Sequence, residues 1–290
     1  MRYGPHAGWS ASRLEAYATC PFFFLTTSTL KLEALETPQA GYQVNQLGSL
    51  LHSVLEHVYQ ETPDPTNTAD VLARLAGVAA EIFASAPQEY GFRPSLLWDV
   101  QQHELLLTVE TTIQNLAEFD AGGQWQPLKF EAKFGLDGHP PLKIPIPGPG
   151  GEVHLHGIID RIDRNPLGEL RVIDYKSGGS HLTPQDLIDG RRLQLPIYAL
   201  AAQDLGLGEP VEGFYWKLFQ GEASSLKLGN FQCEAGYGPQ AAEAVAIGHI
   251  ASFVTAIRQG QFTPLPPKGG CPSYCPAASW CWHFLPSRFY

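Results

Sequence analysis

Two short runs hold the side chains best suited to chemistry. Gly157-Ile158-Ile159-Asp160-Arg161-Ile162-Asp163 and Val172-Ile173-Asp174-Tyr175-Lys176-Ser177-Gly178 are rich in Ile and Val, and Asn165-Pro166-Leu167-Gly168 between them has the composition of a turn. Read as neighbouring buried strands, they bring Asp160, Asp174 and Lys176 to one end of a hairpin. Side chains alternate faces along a strand, so Asp174 and Lys176 project from the same side, roughly 7 Å apart. Two carboxylates and an ammonium group in apolar surroundings are costly to bury without compensation. A divalent cation held by the carboxylates would supply it, and the lysine beside it could stabilise a developing anion or activate water. That is metal-assisted hydrolysis of a phosphodiester in outline. For an isolated Asp-x-Lys the plainer alternative is an ion pair on an edge strand. Asp163 shares its parity with Arg161 rather than Asp160 and is the weaker metal candidate. His154 and His156 share parity with Asp160 but lie toward the far end of the strand, as surface or sheet-packing residues.

The cysteines form a second set. Cys20 stands alone near the start, and Cys271-x3-Cys275-x5-Cys281 lies in a Pro- and Trp-rich tail. The opening Met1-Arg2-Tyr3-Gly4-Pro5-His6 lacks the basic-then-apolar pattern of an export signal, so secreted disulfides are not expected. Clustered thiols in a cytoplasmic chain more often bind metal. Their chemistry allows an iron–sulfur cluster, a Cys₄ zinc site or free structural thiols. Cys233, at the end of a strand, reads as a small buried hydrophobe.

At 290 residues, 44% hydrophobic and 17% charged, the chain can fill a sizeable core and is not of disordered composition. It has no run of 18 or more apolar residues, so no membrane span is expected, and the expected location is cytoplasmic. A net charge of −10 argues against a sequence-tolerant duplex coat, because phosphate binding is driven by Lys and Arg. Basic residues nevertheless gather in sequence near the charged hairpin: Arg161, Arg164, Arg171, Lys176, Arg191, Arg192 and Lys217. An ordinary solvated surface is the alternative reading of that group.

These residues need elements to position them. The first thirty residues read as a helix opening at Ser10 or Ser12, followed by the aromatic patch Phe22-Phe23-Phe24. Residues 46–61 read as a helix with Leu47, Leu50, Leu51, Val54, Leu55 and Val58 on one stripe, and His52 lies roughly 130° from the centre of that stripe. A mostly helical lobe follows to about Phe119, broken by Pro63, Pro65, Pro87, Gly91 and Pro94. From Leu128 the period becomes two. Strands near 128–136, 152–163 and 170–177 are expected to form an antiparallel meander, with a Pro/Gly-rich connection at 139–151. A helical segment near 185–205, strands near 211–219 and 225–233, and a helix near 238–259 complete the pattern. Pro196 is tolerated if its helix starts near Leu193, and Gln194 and Tyr198 then share a face. No internal repeat or low-complexity tract occurs.

Five segments, in order, resemble the PD-(D/E)XK nuclease superfamily, and within it the RecB/AddB-type nuclease domain. They are Ser10 to Phe22, Gly48 to Glu56 with His52, Glu131-Ala132-Lys133-Phe134, the hairpin with Asp160 and Asp174-Tyr175-Lys176, and Gln194-Leu195-Pro196-Ile197-Tyr198. Nearly the whole chain is covered. The resemblance implies an α/β, restriction-endonuclease-like mixed sheet flanked by helices, with an N-terminal helical lobe and a cysteine-rich C-terminal tail. It implies an Mg²⁺- or Mn²⁺-dependent deoxyribonuclease whose metal is held by His52, Asp160, Asp174 and the Tyr175 carbonyl. Lys176 would orient or deprotonate water or stabilise the phosphorane, and Gln194 and Tyr198 would hold the strand or the lysine. Glu131 is read as a structural partner rather than an outer acid. Cys20, Cys271, Cys275 and Cys281 would carry a 4Fe–4S cluster, although the first two tail cysteines are separated by three residues where the family pattern has two.

DNA contacts are expected from Arg161, Arg191 and Arg192. The expected substrate is DNA ends or single strands in repair and recombination, cut as an exonuclease, and the CRISPR-adaptation nucleases share this core. No G-x-x-x-x-G-K-[ST] loop is present, so unwinding would need a helicase partner. The division expected is a single nuclease domain, 1–290. Within it lie an N-terminal segment 1–45, a helical lobe 46–120, a catalytic core 128–262 and a cluster tail 263–290. The rival readings are a non-catalytic DNA-end-binding module and a zinc-stapled interaction domain.

Overall fold

A computed structural model describes residues 3–4, 6–34, 41–120, 124–147, 151–178 and 182–286. The chain opens with β1 (Gly8–Trp9) and α1 (Ala11–Thr19), and the Ser10 hydroxyl caps α1 by accepting the Arg13 N–H. Cys20 ends α1 in an extended conformation, and Pro21 starts α2 (Pro21–Phe24), which runs into a π-helical turn over Leu25–Thr29. Three long helices build the lobe: α3 (Val44–Glu61), α4 (Thr68–Glu89) and α5 (Trp98–Phe119). Pro87 does not break α4 but sits in its last turn. The apolar stripe of α3, from Leu50 to Val58, packs with α4 and α5 against Ile173, Tyr175, Phe214 and Trp216.

The sheet begins with β2 (Gln126–Phe134), followed by β3 (Leu142–Pro145), β4 (Glu152–Leu155), β5 (Gly157–Arg164) and β6 (Glu169–Lys176). β2, β5 and β6 form the expected antiparallel meander. The single strand expected over 152–163 is instead two strands in two sheets. β4 pairs with β3 and, in parallel, with β1, whereas β5 joins the larger sheet. The ladder breaks at His156, whose N–H donates to the Trp9 carbonyl at 2.8 Å. Next to it, a Cβ at position 157 would lie 2.8 Å from the Phe134 ring and 3.3 Å from the Tyr198 ring, so glycine is needed there. The connection expected at 139–151 contains β3, and its residues 148–150 lie outside the described residues.

The helix expected over 185–205 is likewise two: α6 (Pro184–Ile188) and α7 (Gln194–Asp204). Gly190, at φ +73°, stands between them in the left-handed region, under the His249 and Phe253 rings. Pro196 falls in the first turn of α7, where its missing N–H has no helical partner to lose. This pair of helices carries the chain over to β7 (Glu209–Lys217), which pairs parallel with β6, and β8 (Glu222–Lys227) closes the five-stranded order β2-β5-β6-β7-β8. A short ribbon of β9 (Gln232–Cys233) and β10 (Gly236–Tyr237) leads into α8 (Gly238–Arg258), and Cys233 is half-buried against the main core. By length and composition α8 is apolar enough to cross a membrane; its Ala242, Ala246, Ile250 and Val254 are packed inside that core.

Period-two alternation divides the sheet chemically. Along β6, Ile173 and Tyr175 enter the lobe core and Val172 enters the core with α1, α7 and α8, which sends Asp174 and Lys176 to the α7 side. On the lobe side, Asp163 is fully buried and accepts from Arg161 Nε at 2.6 Å and from Arg171 Nη2 at 2.6 Å. The Arg161 guanidinium lies 4.8 Å over the Tyr59 ring, and that of Arg171 4.9 Å over Trp125. The expectation that Arg161 contacts DNA is therefore corrected: it is buried on the sheet face opposite Asp160 and fills a structural ion network. Arg171 leaves the surface basic group for the same reason.

Burial pushes the Asp163 carboxyl up, and the two guanidiniums outweigh burial and hold it below its ordinary value. A depressed carboxylate stabilises the fold above its unfolded pKa of about 4 and stops doing so as pH falls through its lower folded value. Asp163→Ala strands two buried guanidiniums, so urea unfolding at pH 7 should show a loss of about 3–5 kcal/mol. The deficit should narrow as the pH falls below about 4.

Candidate active site

The register between β2 and β5, with Phe130 opposite Arg161 and Ala132 opposite Ile159, places Glu131 across from Asp160. Between β5 and β6, Arg161 pairs with Ile173, so Asp160 stands one step beyond that pair, across from Asp174. Glu131, Asp160 and Asp174 thus form a row across three adjacent strands. Here the strands loosen. Asp160 Oδ2 accepts the Tyr175 N–H at 2.7 Å, and Glu131 adopts φ +46°, a left-handed conformation uncommon for a residue with a Cβ. The lobe supplies the fourth group. With the α3 stripe buried, His52 is turned over the end of the sheet. Its Nε2 lies 3.0 Å from the Tyr175 carbonyl and its Nδ1 3.5 Å from Asp160 Oδ2.

Ligand atoms of His52, Glu131 and Asp160 all lie within 4.8 Å of one another, close enough for one ion. Glu131, read from sequence as structural, therefore stands among the candidate ligands. Its parity with Asp160 across a paired strand is the signal that could have found it. Burial, with Asp160 next to it, pushes the Glu131 carboxyl up to about 7. Burial likewise pushes Asp160 up to about 6, with Asp174 adding to the rise and His52 opposing it. Carboxyls that resist ionisation until a cation arrives are what a divalent-metal site built from Asp, Glu and His requires.

Lys176 Nζ lies 2.6 Å from Asp174 Oδ2, on the same face of β6 as expected. Burial pulls the lysine down, but Asp174 and Asp160 more than offset it and hold the lysine above its ordinary value. Lys176 is therefore a cation at neutral pH. Tyr198 of α7 is buried against Phe134 and faces Asp174 and Asp160; Gln194 Nε2 lies 3.4 Å from its Oη. Burial and the two acids push the Tyr198 phenol well up. Arg191 is paired with Asp189 at 2.7 Å and Asp186 at 3.1 Å, and Arg192 Nη1 lies 3.4 Å from Glu15, so both cations beside α7 are engaged with acids. His154 pairs with Glu152 at 2.6 Å, and His156 sits at the break between β4 and β5, away from the row.

Four of the cysteines converge. Cys20, Cys271, Cys275 and Cys281 line one small pocket, and all four are free thiols. Backbone N–H groups already point at sulfur: Leu265 donates to Cys20 Sγ at 3.3 Å and Leu285 to Cys271 Sγ at 3.4 Å. The extra residue between Cys271 and Cys275 is taken up in a turn closed by the Cys275 N–H on the Pro272 carbonyl at 3.0 Å.

Comparison with known proteins agrees with this geometry. The family model of the PD-(D/E)XK nuclease superfamily matches residues 8–282. A protein of Symbiobacterium thermophilum, named as a subunit of an ATP-dependent helicase/deoxyribonuclease, is 32% identical over 233 residues, covering 71% of this chain and 18% of the relative. Proteins of the same name in Moorella thermoacetica and Clostridioides difficile are 33% and 31% identical, over 70% and 65% of this chain. The chain spans less than a fifth of the length of these relatives, 17–18%. The family match runs from β1 through the last tail cysteine and takes in every element of the acidic row, and on that ground the chain belongs to the PD-(D/E)XK nuclease superfamily.

Proposed function

We propose that this chain is a divalent-metal-dependent DNA nuclease domain that cuts phosphodiesters at DNA ends or on single strands, as an exonuclease in repair. The observation that carries the reading is the convergence of His52, Glu131 and Asp160 within 4.8 Å beside the Asp174–Lys176 pair. His52, Glu131, Asp160, Asp174 and the Tyr175 carbonyl would hold Mg²⁺ or Mn²⁺. The ion would supply Lewis-acid polarisation of the phosphate and a lowered pKa for water. Lys176, as a cation, places positive charge where the transition state gathers negative charge on phosphate oxygens. Asp174 keeps the ammonium group in place. Gln194 and Tyr198 form the wall beside this pair and orient the bound strand, with Arg191, about a third exposed, as a further phosphate contact.

Cys20, Cys271, Cys275 and Cys281 would carry a structural 4Fe–4S cluster, supported by their lining of one pocket and by the N–H···S contacts. Within the single domain 1–290, the lobe 46–120 would supply His52, the core 128–262 the acids and lysine, and the tail 263–290 three thiols. The relatives' name joins a deoxyribonuclease to an ATP-dependent helicase. A helicase partner in the cytoplasm would feed strands to this site.

An anaerobically purified sample, incubated with end-labelled single-stranded and duplex DNA and Mg²⁺ or Mn²⁺, tests the activity. Cleavage should vanish in chelator. Lys176→Ala should lower the rate at least about 100-fold with Mn²⁺ affinity kept, whereas Asp174→Ala should lose both. Near wild-type cleavage by Lys176→Ala at saturating metal would sink the assignment.

The raised carboxyls set a pH dependence. Their folded pKa values lie above the unfolded ones, so the metal-free fold is most favoured at low pH and loses that stabilisation as pH rises from about 4 through about 7. Metal must displace those protons, so Mn²⁺ affinity measured by calorimetry should weaken steadily from about pH 8 to about pH 6. Glu131→Gln should raise the metal-free Tm at about pH 8 by about 2–4 °C, the scale of about 1 kcal/mol in a chain of this size, while weakening Mn²⁺ binding. An unchanged affinity would remove Glu131 from the site.

For the cluster, Cys20→Ala should give a colourless protein that melts lower and is protease-sensitive at both ends, whereas Cys233→Ala should stay brown and stable. A colourless wild type that contains zinc would replace the iron–sulfur assignment.

A further inference from the structure

Glu15 lies in the middle of α1, apart from the groups proposed to touch ion or substrate, yet it is buried, at 8% exposure. Its Oε1 accepts the Leu193 N–H at 2.7 Å and the Gln194 N–H at 3.3 Å, and its Oε2 faces Arg192 Nη1 at 3.4 Å. The first N–H groups of a helix have no acceptor within that helix. α7 begins after Leu193, whose side chain cannot cap it, so a carboxylate from another helix does so. Apolar contacts surround α7 through Leu195, Ile197, Ala199, Ala201 and Ala202. Such packing is non-directional: it sets the depth of a helix better than its rotation or axial position. Two directed hydrogen bonds at the first turn fix both, just ahead of the residues that face the acids. Glu15 is also within electrostatic reach of Lys176 and Asp174.

We propose that Glu15 is a positioning residue for the cleavage site: its hydrogen bonds to Leu193 and Gln194 set the helix on which Gln194 and Tyr198 face Asp160 and Asp174. This rests on the cleavage reading of those acids. Cys20 ends the same short helix five residues later, so α1 also ties the cysteine site to the active site through one rigid element. Loss of order at the cysteines is then felt at α7 through Glu15, without contact between the cluster and the substrate.

The test uses the full chain carrying Glu15→Ala or Glu15→Gln, the second keeping an acceptor oxygen without the charge. Two readouts are taken: amide hydrogen exchange over 193–198, and cleavage of labelled single-stranded DNA at saturating Mn²⁺. Glu15→Ala should speed exchange at Leu193 and Gln194 at least about tenfold and lower kcat about tenfold, with the Mn²⁺ Kd changed less than about twofold. Glu15→Gln should restore the protection and most of kcat. Unchanged exchange and kcat in Glu15→Ala would overturn the proposal. An equal loss in Glu15→Gln would overturn it too, because the acceptor oxygen would then not be what matters. If Glu15→Ala does not fold, Glu15→Asp, one methylene short of the amides, takes its place with the same expectations. A wild type that leaves DNA intact would refute the cleavage reading instead, and the exchange comparison would still decide whether Glu15 anchors α7.

Discussion

Carboxylates set in a row across three adjacent strands repel one another, and burial raises the cost of ionising each of them. That repulsion organises this end of the molecule. Glu131 and Asp160 are held partly protonated near neutral pH, and the nitrogen groups that approach the row, the His52 imidazole and the Lys176 ammonium, come from the lobe and from β6. A site with so much unneutralised acid is unstable by itself and favourable once a divalent cation sits in it. The backbone contributes as well. Glu131 keeps a left-handed conformation that costs on the order of 1–3 kcal/mol, and regular pairs on both sides, Phe130 with Arg161 and Ala132 with Ile159, over-determine it.

The same sheet shows the opposite solution on its other face. Asp163 lies on the lobe side between the Arg161 and Arg171 guanidiniums and titrates low. Asp160, earlier on the same strand and turned to the α7 side, has no guanidinium beside it and titrates high. Alternation along β5 thus separates two acids of the same type into two roles. Asp163 helps to join the lobe to the sheet, and Asp160 is left short of positive charge. This also bears on the net charge of −10. Several of the cations near the hairpin in sequence are consumed by internal pairs, so affinity for a phosphate backbone must come from a local site rather than from a broad basic surface.

Much of this was legible in the sequence because it depends on short periods. Parity along Val172 to Lys176 put Asp174 and Lys176 together, and the angular offset of His52 from the Leu50–Val58 stripe turned it away from the lobe core. What escaped was whatever depends on a tertiary interruption of a continuous pattern. The run 152–163 is strand-like in composition throughout, and the Trp9 carbonyl, far off in sequence, captures the His156 N–H where it divides into two sheets. The run 185–205 is helical in composition, but the Asp189-Gly190 pair ends α6, a local turn signal that was present and outweighed. Arg161 looked available because its partner Asp163 is also charged, and sequence alone does not say that the pair is buried. Glu131 needed the register of β2 against β5, which no single-strand pattern supplies.

The tail shows why distant parts of such a chain need a chemical link. Beyond α8, residues 263–286 contain no helix and no strand beyond an isolated bridge of Cys271 with Pro286. Their apolar contacts are few: Cys275 and Ala277 join Cys20 and Phe23 in a small cluster, while Tyr274, Trp280, Trp282 and Leu285 remain largely exposed. Burial on that scale does not offset the entropy of ordering some two dozen residues at roughly 1 kcal/mol or more each. The group proposed on the four thiolates would do so by another route, since its binding energy is realised only when Cys20 and the three tail thiols, 251 residues away at Cys271, are brought together. Closing so long a loop removes only a little more chain entropy than closing a short one, so the greater part of that stabilisation would come from the metal–sulfur bonds themselves. With such a group bound, the order of the tail, the placement of α1 and, through Glu15, the seating of α7 beside the acidic row would follow from one set of bonds, made by cysteines that lie in neither the lobe nor the sheet.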